Sequence, residues 1–213
     1  MNVGILGSGD VAKALAKGFI KHGYSVMLGT RDRLKLEAFS TEIKSTVGSF
    51  ADAAAFGEII VLAVKGHAAV DVLKLAGVAN LSGKTIIDTT NPIANTPPEN
   101  GVLHFYTDFK SSLMEQLQVT FSDGRFVKAF SCVGNSLMVN PDFGGTKPTM
   151  FICGNDEESK KDVSTILVKF GWEVDDYGKA QAARAIEPLC ILWCIPGFLQ
   201  NEWQHHALKM LKR

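Results

Sequence analysis

Neither sign of charge is in excess in this chain: 22 Lys and Arg stand against 22 Asp and Glu over 213 residues. Without a global field to draw nucleic acid or an anionic membrane surface, small molecules are the expected partners. The sequence also lacks an unbroken apolar run of the roughly 18 residues a spanning helix needs, and its first residues read as a strand where a basic leader would stand. A cytoplasmic protein with no signal peptide and no membrane contact is expected. Cysteine is scarce. Cys132, Cys153, Cys190 and Cys194 have no C-x-x-C spacing and sit in apolar runs, which points to reduced core thiols and away from a disulfide framework or zinc site. No Ser/His/Asp order, H-E-x-x-H or paired-carboxylate spacing stands out, and His205-His206 reads as a surface pair, so neither a metal site nor a catalytic acid or base is assigned.

What is present is an alternation. Short β-rich runs at Asn2–Leu6, Ser25–Leu28, Ile59–Val64, Thr85–Asp88, Phe126–Phe130, Thr149–Cys153 and Trp172–Asp175 are separated by helical stretches at Asp10–His22, Leu34–Thr46, Phe50–Ala55, His67–Ala76, Ser111–Leu117 and Glu157–Phe170. Runs such as Ile59–Val64 are apolar on both faces, as strands are when helices cover both sides of a sheet. The pattern predicts a doubly wound, mostly parallel α/β sheet of Rossmann type over residues 1–140, with a small α/β extension over 141–213. The prolines and asparagines from Pro92 to Asn100 predict a loop. Gln181–Gln200, apolar nearly all round but interrupted by Pro188 and Pro196, predicts a kinked, buried helix that packs under the sheet or across a subunit contact.

The chemistry is carried by Gly7-Ser8-Gly9-Asp10-Val11-Ala12, a G-x-G-x-x-A run that follows a strand and opens a helix. In that context Gly7 allows the tight turn, Gly9 lets the backbone approach a pyrophosphate, and Ala12 lets the helix pack on the strand, so the helix N-terminus faces the phosphates. The second strand, where an acid that pairs with a ribose 2′-hydroxyl is usual, ends instead in Gly29-Thr30-Arg31. Thr30, Arg31 and Lys35 suit a 2′-phosphate, which makes NADP(H) the expected cofactor although Asp32 follows at once. Ala63, Val64, Lys65 and His67 at the end of the third strong strand should flank the cofactor. Thr90, Asn91 and Pro92 after the next should meet the nicotinamide, with Asn91 able to donate to and accept from its carboxamide, and Gly134 and Asn135 should close the site.

These motifs together resemble a known family. Gly7-Ser8-Gly9, Gly29-Thr30-Arg31-Asp32, Asp88-Thr89-Thr90-Asn91-Pro92, Val127-Lys128-Ala129-Phe130 with Val133-Gly134-Asn135, and Cys153-Gly154-Asn155-Asp156 are similar to the NADP oxidoreductases of the coenzyme F420-dependent type, over nearly the whole chain. The same domain resembles the cytoplasmic NADPH-binding part of membrane ferric reductases. The resemblance implies a homodimer and direct hydride transfer between NADP(H) and a flavin or deazaflavin ring, or another small electron acceptor. A non-catalytic NADPH sensor is the alternative. A dehydrogenase with Lys65, His67 or His104 as proton relay is the third reading.

Overall fold

The computed structural model describes residues 1–213. Eight strands form one sheet: β1 (Asn2–Leu6), β2 (Ser25–Gly29), β3 (Thr46–Gly48), β4 (Ile59–Leu62), β5 (Thr85–Asp88), β6 (Arg125–Lys128), β7 (Thr149–Gly154) and β8 (Glu173–Asp176), in the spatial order β3-β2-β1-β4-β5-β6-β7-β8. All neighbours are parallel except β6 and β7. Every residue of β4 and β5 is buried, as expected for strands covered on both faces. The doubly wound α/β class is therefore the observed one. Residues 141–213 continue the same sheet through β7 and β8.

The helices between strands are α1 (Asp10–Lys21), α2 (Leu34–Ile43), α3 (Phe50–Phe56), α4 (Ala69–Ala76), α5 (Val78–Leu81), α6 (Leu113–Thr120) and α7 (Glu157–Lys169). Buried Ala12, Leu15, Ala16 and Phe19 give α1 a stripe at helical spacing that seals it to the sheet. α3 and α6 begin with reciprocal caps, Ser49 with Asp52 and Ser112 with Glu115, which satisfy first-turn N–H groups.

Two helices differ from expectation. The helix expected over Leu34–Thr46 ends at Ile43, because Lys44 takes a left-handed conformation (φ 57°) and the chain turns into β3, a three-residue edge strand too short to show an alternation. The C-terminal helix is also less buried than its composition predicts. It consists of α8 (Ala183–Ile186) and α9 (Leu189–Gln200) around Pro188, and Leu192, Phe198 and Leu199 face outward. By length and composition residues 180–200 are apolar enough to cross a membrane, but the charges of Arg184 and Glu187 are both spent on the domain, on Glu115 and Lys128 respectively.

The segment after β5 lies in no named strand, in keeping with the expected loop. It nevertheless folds back on itself: Ile93 bridges Phe105, Glu99 bridges Val102, and the tip at Gly101 rests on Leu199. Of the His205-His206 pair, His205 is exposed but His206 is half-buried. Its Nε2 donates to the Trp193 carbonyl (2.8 Å) and its ring stacks on Trp193.

Candidate functional site

The strand order reverses between β1 and β4, and the crevice beyond their carboxyl ends is where a doubly wound sheet binds ligands. A groove of about 680 Å³ lies there. Gly7, Ser8, Gly9, Asp10, Val11, Thr30, Arg31, Lys35, Ala63, Val64, Lys65, His67 and Asn135 all line it, as the sequence suggested, and Asp32, Phe50, Ala68, Val72 and Thr89 join them.

At its centre is the turn into α1. Gly7 has φ 147°, and a Cβ there would collide with the Ala63 carbonyl, so only glycine fits. Gly9 has an ordinary extended backbone, and a Cβ on it would meet no protein atom within 4 Å. The space in front of Gly9 is open, and α1 has no side-chain cap, so its first-turn N–H groups are free for an anion. At one end of the groove, Thr30 Oγ1 accepts from the Asp32 amide (3.1 Å) and shapes the turn. The Asp32 carboxylate lies 3.7 Å from Lys35 and Arg33 pairs with Asp52, whereas Arg31 has no ionic partner. The uncommitted guanidinium beside a partly neutralised acid suits a phosphate better than a ribose hydroxyl.

At the other end, Asn91 lies just outside the main groove, in an adjoining cavity of about 270 Å³ shared with Val64, Lys65, Gly66, His67, Thr89, Ile93, Ala94 and Asn95. The Asn91 amide donates to the Ser131 carbonyl (2.9 Å), and its Oδ1 has no partner. An unpaired buried acceptor costs about 1–3 kcal/mol, which a donor on a ligand in this cavity would relieve. Thr90, Pro92 and Gly134 are not lining residues. Thr90 is buried and bonded to Asp88, Pro92 is buried and accepts from the Tyr106 amide (2.9 Å), and Gly134 packs flat against Trp193.

Behind this end lies a charged cluster sealed from solvent. Lys128 Nζ lies 2.7 Å from Asp88, 2.9 Å from Glu187 and 2.8 Å from the Thr90 carbonyl, which accepts a hydrogen bond from it. Glu187 also accepts from the Leu113 and Met114 amides at the start of α6 (3.0 Å each). Burial opposes the ammonium charge, but the two carboxylates outweigh it and Lys128 is held well above its ordinary pKa. The thiol of Cys132 is buried, which pushes it up to about 12 and disfavours the thiolate.

Sequence reasoning missed Phe50 and Val72, which reach the groove from α3 and α4, and Ala68, just before α4, none of them in a local motif. Thr89 belongs to the quoted Asp88–Pro92 run and was legible as a neighbour of Asn91. Its hydroxyl donates to the Leu62 carbonyl (2.9 Å) and ties β5 to β4 at the groove floor.

A family profile described as NADP oxidoreductase, coenzyme F420-dependent, matches residues 2–92. A crystal structure from Arthrobacter sp. FB24, assigned to the F420 dependent NADP-reductases, superposes over 100% of both chains with a TM-score of 0.92 and 30% identity. The chain belongs to the coenzyme F420-dependent NADP oxidoreductase family. Among curated members and relatives, the F420-dependent NADP reductase of Methanocaldococcus jannaschii is 25% identical over 203 residues, 89% of each chain. Metalloreductase STEAP3 of Rattus norvegicus is 30% identical over 202 residues, and the match takes in 92% of this chain but only 38% of that protein's length. Membership of an NADP-dependent oxidoreductase family accords with the open helix N-terminus, the glycine cradle and the unpaired Arg31, which fit a dinucleotide with a 2′-phosphate.

Proposed function

We propose that the chain is an NADPH-dependent reductase that passes a hydride to a flavin-like ring or another small acceptor seated beside Asn91. The observation that carries this reading is the continuity of the two cavities: the dinucleotide groove and the 270 Å³ space share Val64, Lys65, His67 and Thr89. A cofactor in the groove with its adenosine end at Arg31 thus has its far end directed toward a second, ligand-sized space. Bound NADPH supplies the hydride, two electrons and one proton, which the acceptor takes up.

The residues of the chain orient the partners and exclude water. The α1 N-terminus and Gly9 hold the pyrophosphate, Arg31 and Lys35 the 2′-phosphate, and Thr30 the turn that aims them. Asn91 Oδ1 accepts from the carboxamide that Thr90 and Pro92 help to place, and Gly134 lets Asn135 close the groove. Ala63 and Val64 form an apolar wall, while Lys65 and His67 border the acceptor. Such positioning suffices for transfer between planar rings without a general acid.

A reducing cytoplasm suits the four unpaired thiols. The outward apolar face of α9 is read as the contact of a homodimer. Leu192, Phe198 and Leu199 are the exposed apolar residues of that helix, and Phe109 is exposed beside Pro188 and Ile191 at its start; Leu192→Glu should yield monomers in light scattering.

The test uses NADPH carrying deuterium at C4 with a deazaflavin as acceptor, under anaerobic conditions. Transfer of the label to the acceptor carbon supports the reading. Binding of NADPH with no oxidation by deazaflavin, flavin or small electrophiles contradicts it and leaves a sensor.

A further inference from the structure

Lys128 has no solvent-exposed surface and no role in the binding reading above, yet its contacts converge on one residue of the site. Asp88 Oδ1 accepts from the Thr90 amide (2.9 Å) and from the Thr90 hydroxyl (2.6 Å), while Lys128 Nζ donates to the Thr90 carbonyl (2.8 Å). Every polar atom of Thr90 is therefore held by the Asp88–Lys128 pair. Asn91 follows directly, and its amide donates to the carbonyl of Ser131, three residues beyond Lys128 on the same chain segment. The unspent Oδ1 of Asn91 is set from inside the protein by these bonds.

We infer that Lys128, clamped between Asp88 and Glu187, is a positioning residue for the nicotinamide half of the cofactor. The inference rests on the reading that the groove holds NADP(H). Stability gives no reason for the cluster, since an apolar trio of similar volume commonly does as well as a buried ion network. What the ions add is direction. One ammonium with fixed partners links the end of β5, the end of β6 and the entrance of the C-terminal helix, and Glu187 is itself anchored by two amides at the start of α6. The Thr90–Asn91 turn thus inherits its place from four elements, not from its own loop. The adenosine end at Arg31 lies on the other side of the topological switch and makes no contact with the cluster.

The experiment compares affinity for NADPH with affinity for 2′,5′-ADP, which carries the adenosine half alone. Lys128→Met by itself strands two buried carboxylates, so the main variant is Lys128→Met with Glu187→Gln, which keeps the net charge of the cluster at minus one. Thr90→Val, which removes a single hydroxyl contact to Asp88, is the conservative second variant. Circular dichroism and melting report the fold.

The expected result is 2′,5′-ADP binding within about twofold of wild type, with NADPH binding weakened about tenfold or more in the double variant and about threefold in Thr90→Val. The emission enhancement of bound NADPH should fall in the same order. Parallel loss of both ligands, or no change in either, in a variant that melts as a folded protein overturns the positioning role. If the double variant does not fold, Lys128→Arg, which keeps the charge but moves the donor away from the Thr90 carbonyl, decides between the same outcomes, and Thr90→Val reads the Asp88 arm of the clamp alone. If wild type binds neither ligand, the dinucleotide reading itself has failed and the inference falls with it.

Discussion

Gly9→Ala separates fold from function more cleanly than any other single change. Gly9 has φ −83° and ψ −175°, extended values that alanine adopts freely, and the added Cβ meets no protein atom within 4 Å. Loss of backbone freedom in the unfolded chain stabilises such a variant by about 0.4–1 kcal/mol, and the weaker N-cap preference of alanine offsets a similar amount. The melting temperature without ligand should thus stay within about 2 °C of wild type, given about 2–4 °C per kcal/mol for a chain of this size. The cofactor should respond quite differently. The Cβ projects into the cradle in front of α1 and holds the pyrophosphate away from the first-turn N–H groups. Losing two charge-assisted hydrogen bonds, at about 1.5 kcal/mol each, lowers affinity by about 100-fold.

Melting with and without NADPH at 100 times the wild-type Kd reads both effects. Wild type gains about 2.7 kcal/mol from ligand at that concentration and the variant about 0.4 kcal/mol. The wild-type shift is then about 5–10 °C and the variant shift under about 2 °C. A variant that keeps the full shift would refute the placement of the pyrophosphate at Gly9. A variant that melts far below wild type without ligand would show that the cradle is occupied by protein.

Two further outcomes follow from the ionisable groups. Hydrogen bonds from Arg184, with help from Ser112, lower the Glu115 carboxyl from 4.5 to about 2. A depressed folded pKa contributes stability that is present above about pH 4.5 and lost as pH falls through 2, so Arg184→Met should lower stability at pH 7, by an amount that solvent at the exposed guanidinium keeps small, and the loss should vanish below pH 2. Urea titrations at several pH values would show an equal cost at both ends if the ion pair is not the cause. Among the thiols, burial pushes Cys132 and Cys153 up to about 12 and Cys190 is also raised, whereas the Cys194 thiol is lowered by hydrogen bonding with the Cys190 thiol. Only Cys194 should react promptly with a disulfide reagent in the native protein, the rest after unfolding; a second fast equivalent would contradict that burial.

Much of the architecture was legible because doubly wound folds write themselves locally. The apolar run at Ile59 and the glycine turn at Gly7 report a buried parallel strand and a phosphate-binding helix start with no tertiary information. What escaped was set by contacts distant in sequence. β3 exists because Thr46–Gly48 finds the free edge of β2, not because three residues carry a pattern. Glu187 is a lone acid in an otherwise apolar stretch of sequence, and only the fold brings it to Lys128 and the α6 amides. Phe50 reaches the groove from a helix whose sequence reports only its cap. The outward face of α9 was hidden for another reason: composition tells how apolar a helix is, not which side has a partner.

Whether the groove takes a dinucleotide with a 2′-phosphate is read by titrating the protein with NADPH and with NADH while following nicotinamide fluorescence, then repeating both with Arg31→Asp. NADPH should bind about 10–100 times more tightly than NADH, and the variant should abolish the difference by weakening NADPH alone. Equal affinities in the wild type, unchanged in the variant, would contradict it and move the adenosine contact from Arg31 to Asp32.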